Sequence, residues 1–411
     1  VIIPLPLFRA RRANPSLVIN GVDILLGLAS QNIISFCYTD NTSDKADDLS
    51  IEIADPQRTW MLKYLPANAK KGIECTAGMI VYDWAFPGDT RPFECGIFYI
   101  NHVGFKGPPN VVSVKATSIP PNGVKSTKKF KSWENTNLKS IAGEIASKNG
   151  LTLFYDTKED PQIKRTDQSD KSDLEYLRDR CKESKLSLKV HKKQLIIYSE
   201  EEYEARPPAF TLTYGASNIL DYDFNSKSDD TYKKCKNKFD NPETGKITET
   251  EFDPSINGGT IAEGTYAELN LNENPEYEPD VQKGSTTLML MESAQNYHYI
   301  GTGIHEELVS PRKLEDADFF NTDPGANKGK GAGGQKNSTK KCKAKLREKN
   351  KKEHQCSFKV HGNIEYLSGL CCETLGFGIF DKKWFIESSI HDIANGGYST
   401  NLKLRGALKG Y

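Results

Sequence analysis

Two runs decide the reading of this chain: Trp133-Glu-Asn-Thr-Asn-Leu138-Lys-Ser-Ile-Ala142-Gly-Glu-Ile145-Ala-Ser-Lys-Asn-Gly150 and Ser172-Asp-Leu-Glu175-Tyr-Leu177-Arg-Asp-Arg-Cys181. In the first, Leu138, Ile141, Ala142 and Ile145 recur at i, i+3, i+4 and i+7, which predicts a helix with one apolar face. Asn135 or Thr136 is the expected N-cap and Gly150 the stop. In the second, Ser172 can accept from the backbone three residues on while Glu175 reaches back, a capping box that opens a helix carrying Leu174, Leu177 and Cys181 on one side. A hairpin is expected next. Leu186, Leu188 and Val190 alternate with polar residues, His191-Lys-Lys-Gln194 turns, and Leu195-Ile-Ile-Tyr198 returns.

Outward from this α/β block the chain reads as short strands. Residues 1–125 are expected to form a first β-barrel, with strands around Ser50–Ala54, Met79–Trp84, Gly96–Ile100 and Val111–Ala116, punctuated by Pro108-Pro109 and Pro120-Pro121. Residues 126–205 are the insert, which Arg206-Pro-Pro208 closes. Phe210-Thr-Leu-Thr-Tyr214 restarts strand patterning and is expected to return to the first barrel, within return strands over 206–255. Residues 256–353 form a variable segment. The chain is acidic and poor in periodicity from Asp240 to Asp280, then basic from Asn327 to Lys352, ending in a helix over Ser338–Glu353 expected to cap the last barrel. Residues 354–411 are expected to supply the closing strands of a second β-barrel.

Composition narrows the function classes. With 411 residues, 37% hydrophobic and 10% aromatic, the chain is long enough for several cored domains. Lys plus Arg and Asp plus Glu both number 55, so no global field draws it to nucleic acid or an anionic membrane. No apolar run approaches the ~20 residues that cross a bilayer. The opening Val-Ile-Ile-Pro-Leu-Pro-Leu precedes its arginines, the reverse of a signal peptide, so a cytosolic origin is expected. Nine cysteines, mostly scattered singly, are not a disulfide framework.

Trp133–Ala142 followed by Asp167-Gln-Ser-Asp-Lys-Ser-Asp-Leu-Glu-Tyr-Leu177 resembles the phage late control D family, the baseplate hubs of contractile tails and phage-tail-like bacteriocins, similar to the base of type VI secretion spikes. Arg9–Gly21, Leu49–Asp55 with Trp60, Gly362-Asn363, Gly369, Gly376-Phe-Gly378, Trp384-Phe-Ile386 and Gly397-Tyr-Ser-Thr400 are similar to its opening and closing strands. The likeness covers the first ~250 and last ~70 residues. It implies a mainly β fold with an α/β insert and two β-barrel domains of the contractile-tail hub type. It also implies a homotrimeric ring on the tail axis whose partners are the central spike, the tail tube, baseplate wedges and the tape-measure protein. The implied location is the baseplate of a virion or tail-like particle assembled in the bacterial cytoplasm. The chain ends without needle repeats, which points to a separate spike protein.

The basic segment invites a nucleic-acid reading, but it has no interleaved aromatics, so binding there is not expected. The alternatives are a solvated linker, or acidic and basic segments that meet across subunits. Lys328, Lys330, Lys336, Lys340, Lys341, Phe319 and Phe320 are the partner-contact candidates. Trp384-Phe385 could serve the same end, with a core role equally open for Trp384. Gly329–Lys336 misses a phosphate loop because Gln335 stands where lysine is needed. Cys342, Cys356, His361, Cys371 and Cys372 have no tight zinc spacing, His298 and His305 lack the HExxH frame, and Gly301-Thr-Gly303 lacks the rest of a dinucleotide fingerprint. No cofactor or metal is therefore expected. The enzymatic alternative is a tail-associated cell-wall hydrolase acting on peptidoglycan, which needs a carboxylate pair with divergent environments. No pair, nucleophile elbow or cysteine–histidine motif stands out, so the chain is not expected to be an enzyme and no catalytic residue is assigned.

Overall fold

The computed structural model describes residues 10–25, 32–43, 45–64, 72–84, 86–121, 127–216, 218–227, 231–241, 246–257, 266–270, 276–277, 312–313, 331–394 and 397–411. The first strands are β1 (Arg12–Ile19), β2 (Val22–Asp23), β3 (Ile33–Asn41), β4 (Asp48–Ala54), β5 (Glu74–Tyr82), β6 (Thr90–Lys106) and β7 (Val111–Thr117), with a π-helical turn at Trp60–Tyr64. Alternation places Leu49, Ile51 and Ile53 of β4 and Cys75, Ala77, Met79 and Val81 of β5 in one core with Phe36 and Phe98.

The insert comprises β8 (Lys129–Asn137), α1 (Leu138–Lys148), β9 (Thr152–Asp156), β10 (Gln162–Lys171), α2 (Asp173–Glu183), β11 (Ser187–His191), β12 (Gln194–Tyr198) and the short α3 (Glu200–Glu204). Both helices bury the predicted faces. The Ser172–Glu175 capping box is present in full. The N-cap of α1 is Asn137 rather than Asn135 or Thr136, and its side chain accepts from the Ser140 amide at 2.8 Å. The reason lies in the strand before it: β8 stays paired with β10 as far as Asn137, opposite Gln162, so the helix cannot begin earlier. The hairpin is in the predicted register, with His191 opposite Gln194. Its two turn residues, Lys192 and Lys193, have φ of 47° and 60°, left-handed values that suit a type I′ turn but strain a lysine. Each makes an ion pair with the first core's sheet, to Glu94 at 3.2 Å and Glu74 at 2.7 Å. Unforeseen in the sequence are the β8–β10 ribbon and the parallel pairing of β9 with β12.

Next come β13 (Phe210–Thr213), β14 (Ile219–Ser226), β15 (Tyr232–Asn241), β16 (Lys246–Phe252), β17 (Tyr266–Asn270) and the two-residue strands β18 (Glu276–Tyr277) and β19 (Arg312–Lys313). After them stand α4 (Gly331–Asn350), β20 (His354–His361), β21 (Cys371–Leu375), β22 (Lys383–Ala394) and β23 (Gly397–Gly406). The main sheet runs β14-β20-β23-β22-β3-β4-β7-β6-β5-β1-β2, with β13 and β21 attached beside β22. It is a single hydrogen-bonded path carrying two cores. The second core gathers Phe358, Val360, Trp384, Ile386, Leu402 and Leu404. The two cores meet where β22 pairs with β3, and Tyr398 of β23 packs its ring 5.2 Å from Trp84. Gly362 permits this, since a Cβ there would lie 2.3 Å from the Tyr398 ring.

Two expectations are corrected here. The Phe210 strand does not return to the first unit: β13 pairs in parallel with β21, and β14 pairs with β20. Its side chains complete the second core, where Leu212 is buried. The basic helix starts at Gly331, within the glycine-rich stretch, and packs on the small β16-β15-β17 sheet rather than capping a barrel. Cys342 and Leu346 of α4 share a third core with Tyr232, Cys235, Phe252, Leu408 and Tyr411. Asn350 fastens the helix end, accepting from the Tyr232 amide at 2.9 Å and donating to its carbonyl at 2.7 Å.

Candidate functional site

The polar chemistry of this chain is concentrated where its units meet. One cluster forms around α3, which follows β12 directly. Ser199 caps it, accepting from the Glu202 amide, and the helix turns Glu200 and Glu204 inward. Glu200 Oε2 accepts from Arg405 Nη2 at 2.8 Å, and Glu204 Oε1 accepts from the same nitrogen and from Arg347 Nη2 at 2.5 Å. Glu204 Oε2 takes the Leu408 amide at 2.9 Å. Burial alone would raise the Glu200 carboxyl, but Arg405, then Lys351 and Arg347, outweigh it and hold it well below the carboxylate range. The cluster therefore ties the insert, α4 and the last strand together, and every charge in it has a partner of opposite sign. Breaking such a pair costs several times what an exposed pair is worth.

A second cluster joins the insert to the first core. Lys189 of β11 reaches Asp40 and, at 3.2 Å, Asp47, while His191 Nδ1 lies 2.8 Å from Asp47. Burial pushes the Asp40 carboxyl up, yet Lys189 and the Ser368 amide together bring it below its ordinary value. Asp40, Lys189, His191 and Ser368 line a groove of about 420 Å³ that is also walled by Tyr38, Phe93, Tyr198 and Tyr203. An Asp–His pair suggests nucleophile activation, but the nearby Cys95 thiol is fully buried and pushed well up by that burial.

The outer surface offers a different feature. Among the described residues the main sheet path ends at β14, leaving that edge unpaired. Beside it Tyr214, Tyr222, Leu375 and Ile379 are exposed, and the rings of Tyr214 and Tyr222 lie 5.6 and 5.1 Å from Phe377. An open edge flanked by exposed apolar side chains is a pairing surface unless something covers it.

The residues singled out in the sequence fall variously. Lys328, Lys330, Phe319 and Phe320 lie outside the described residues, as do His298, His305 and Gly301–Gly303. Lys336 is in α4, with its side chain also outside them. Lys340 of α4 pairs with Glu159 of the insert at 2.7 Å, and Lys341 is half-buried on the same helix. Trp384 and Phe385 are both fully buried, so neither is a surface contact. Trp384 Nε1 donates to Thr374 Oγ1 at 2.8 Å, which satisfies its one polar atom inside the core. Cys342 sits in the third core, apart from Cys356 and Cys372 in the second, and His361 is exposed. The paired carboxylates Glu200 and Glu204 escaped sequence reading because their partner Arg405 is about two hundred residues away, at separations of 205 and 201. Only the acidic run at Glu200–Glu202 hinted at them.

This fold is similar to those of solved tail proteins. The 43 kDa tail protein of prophage MuSo2 from Shewanella oneidensis matches with a TM-score of 0.62 at 11% identity, covering 95% of this chain and 98% of that one. A tail protein from Neisseria meningitidis MC58 matches with a TM-score of 0.61, also at 11% identity, covering 96% of each chain. In sequence, the chain is similar to a probable baseplate hub protein of Escherichia phage 186, 26% identical over 162 residues. That alignment spans 39% of this chain and 38% of the phage protein. No family model matches. The resemblance to baseplate hubs therefore holds: the sequence is similar to probable baseplate hub proteins of two Escherichia phages, and the fold is similar to that of solved tail proteins.

Proposed function

We propose that this chain is the structural hub of a contractile-tail baseplate, a homotrimeric ring on the tail axis that joins the tail tube to a central spike. The observation that carries the reading is the tail-protein fold over nearly the whole chain, coupled to a hub-like sequence. The role requires assembly and no catalysis. In a ring, the β14 edge and the Tyr214, Tyr222, Leu375 and Ile379 surface meet a second copy, in a heterologous contact that closes around three subunits. Baseplate wedges and the tape-measure protein are the outer and axial partners in this scheme. Lys328, Lys330 and Lys336 remain the candidates for selecting among neighbours by complementary charge, whereas Lys340 is engaged within the chain by Glu159.

Light scattering on the purified chain, alone and mixed with a candidate central spike protein from the same genome, tests the proposal. A trimer, alone or on mixing, is the expected result. A persistent monomer indifferent to the spike refutes it.

A further inference from the structure

A small recess of about 60 Å³ lies between α2, β11, α3 and α4, apart from the surfaces assigned above to assembly. Its wall carries five cations, Arg178, Lys182, Lys185, Arg347 and Lys351, against two carboxylates, Glu200 and Glu348. Glu200 is already engaged by Arg405 and by the Ser187 hydroxyl at 2.6 Å, and Glu348 pairs with Lys345 on its own helix at 3.8 Å. Lys185 reaches Glu201 at 3.1 Å. Arg347 is 6% exposed and spends Nη2 on Glu204, while its Nη1, equally buried, has no hydrogen-bond partner among the described residues. A buried guanidinium nitrogen without an acceptor is costly, and an acceptor is what the recess has room for. Crowding of like charge shows next door, where burial and then Lys185 push the Lys343 ammonium down.

We infer that this recess binds a phosphate-class oxyanion, held by Arg347 and Lys351 with Lys182 at the rim, which pins α4 against the insert. Its acceptor oxygens match the donors that guanidinium and ammonium groups present. The ends of α2 and α4 also lie beside the recess, and helix C-termini attract cations whether or not an anion binds. The test must separate the two causes.

Thermal unfolding of the full chain is followed in inorganic phosphate and in chloride at matched ionic strength, for wild type, Lys351→Gln and Lys182→Gln. A bound anion gives a saturable rise in melting temperature with phosphate in the wild type. Each variant, losing one charged donor, should need about tenfold more phosphate for half the effect. Phosphate also stabilises folded proteins by exclusion from their surface, an effect that does not saturate and does not depend on either lysine. An equal, unsaturating rise in all three proteins, or no rise beyond that in chloride, overturns the inference. Because the three proteins are compared by phosphate response and not by absolute stability, a variant that is merely weaker does not imitate the result.

Discussion

His391 should make this protein lose stability as the pH falls from about 6.5 to about 4, and glutamine in its place should remove that loss. The side chain is fully buried on β22 where the two cores meet, stacked on Tyr38 of β3 at 5.9 Å. Its Nδ1 is 2.7 Å from the Tyr398 hydroxyl and its Nε2 3.2 Å from Ser389 Oγ. Burial lowers the imidazole from its ordinary 6.5 to about 4, despite the nearby Asp40 charge. Between those values the unfolded chain takes up a proton that the folded chain refuses, so stability rises with pH. The contribution is complete above the unfolded value, declines through the window, and is fully lost below the folded one. A gap of about 2.5 at 1.36 kcal/mol each gives about 3 kcal/mol. Urea unfolding at about pH 7, 5.5 and 4.5, monitored by tryptophan fluorescence, measures it in wild type and His391→Gln. Carboxylates such as Glu200 and Asp40, held low in the folded state, also lose stability in acid, but mainly below their ordinary values and equally in both proteins. The difference between the two proteins should therefore shrink as pH falls. Parallel curves would refute the argument that the buried imidazole is the group being titrated.

Other substitutions test other links. Arg405→Met leaves Glu204 with Arg347 and Glu200 with Lys351 and Arg347 as the remaining nearby cations and should cost about 3–5 kcal/mol, with part recovered in the double variant with Glu204→Gln. Trp384→Ala removes the largest fully buried side chain of the second core and should cost about 3–5 kcal/mol, read as a loss of melting temperature. Ser172→Ala breaks the capping box of α2 and should cost about 1 kcal/mol; an unchanged midpoint would show the cap to be idle. Ile379→Glu, on an 85% exposed side chain, should leave the isolated chain within about 0.5 kcal/mol of wild type yet weaken ring assembly in light scattering, and unaltered assembly would clear that surface of the role.

Much of the insert was legible because its signals are local. A capping box spans four residues, a helix face repeats within a turn, and a two-residue hairpin sets its own register, so Ser172–Glu175 and His191–Gln194 were read correctly from their neighbours alone. The one local error, the N-cap of α1, arose because strand pairing with a distant segment overrode the nearer capping residues. The alternation of β4 and β5 announced strands and their inward faces, and the family resemblance gathered those strands into a hub-type fold.

Tertiary structure alone decided which strands pair and which charges meet. Alternation says that Phe210–Thr213 is a strand but not that its partner is Cys371–Leu375, because the same inward face would complete either core. The basic run 327–352 reads as a solvated segment, since among the described residues α4 buries only Cys342 and Leu346 of its apolar side chains; its place on the β16-β15-β17 sheet follows from a core contributed by four separate parts of the chain. Trp384 and Phe385 show the same limit in reverse, for an aromatic pair has one spelling whether it faces solvent or a core. The α3 cluster is the clearest case. Glu204, Arg347 and Arg405 carry no pattern in sequence, and their charges are tolerable without water only because folding brings them within hydrogen-bond distance of one another.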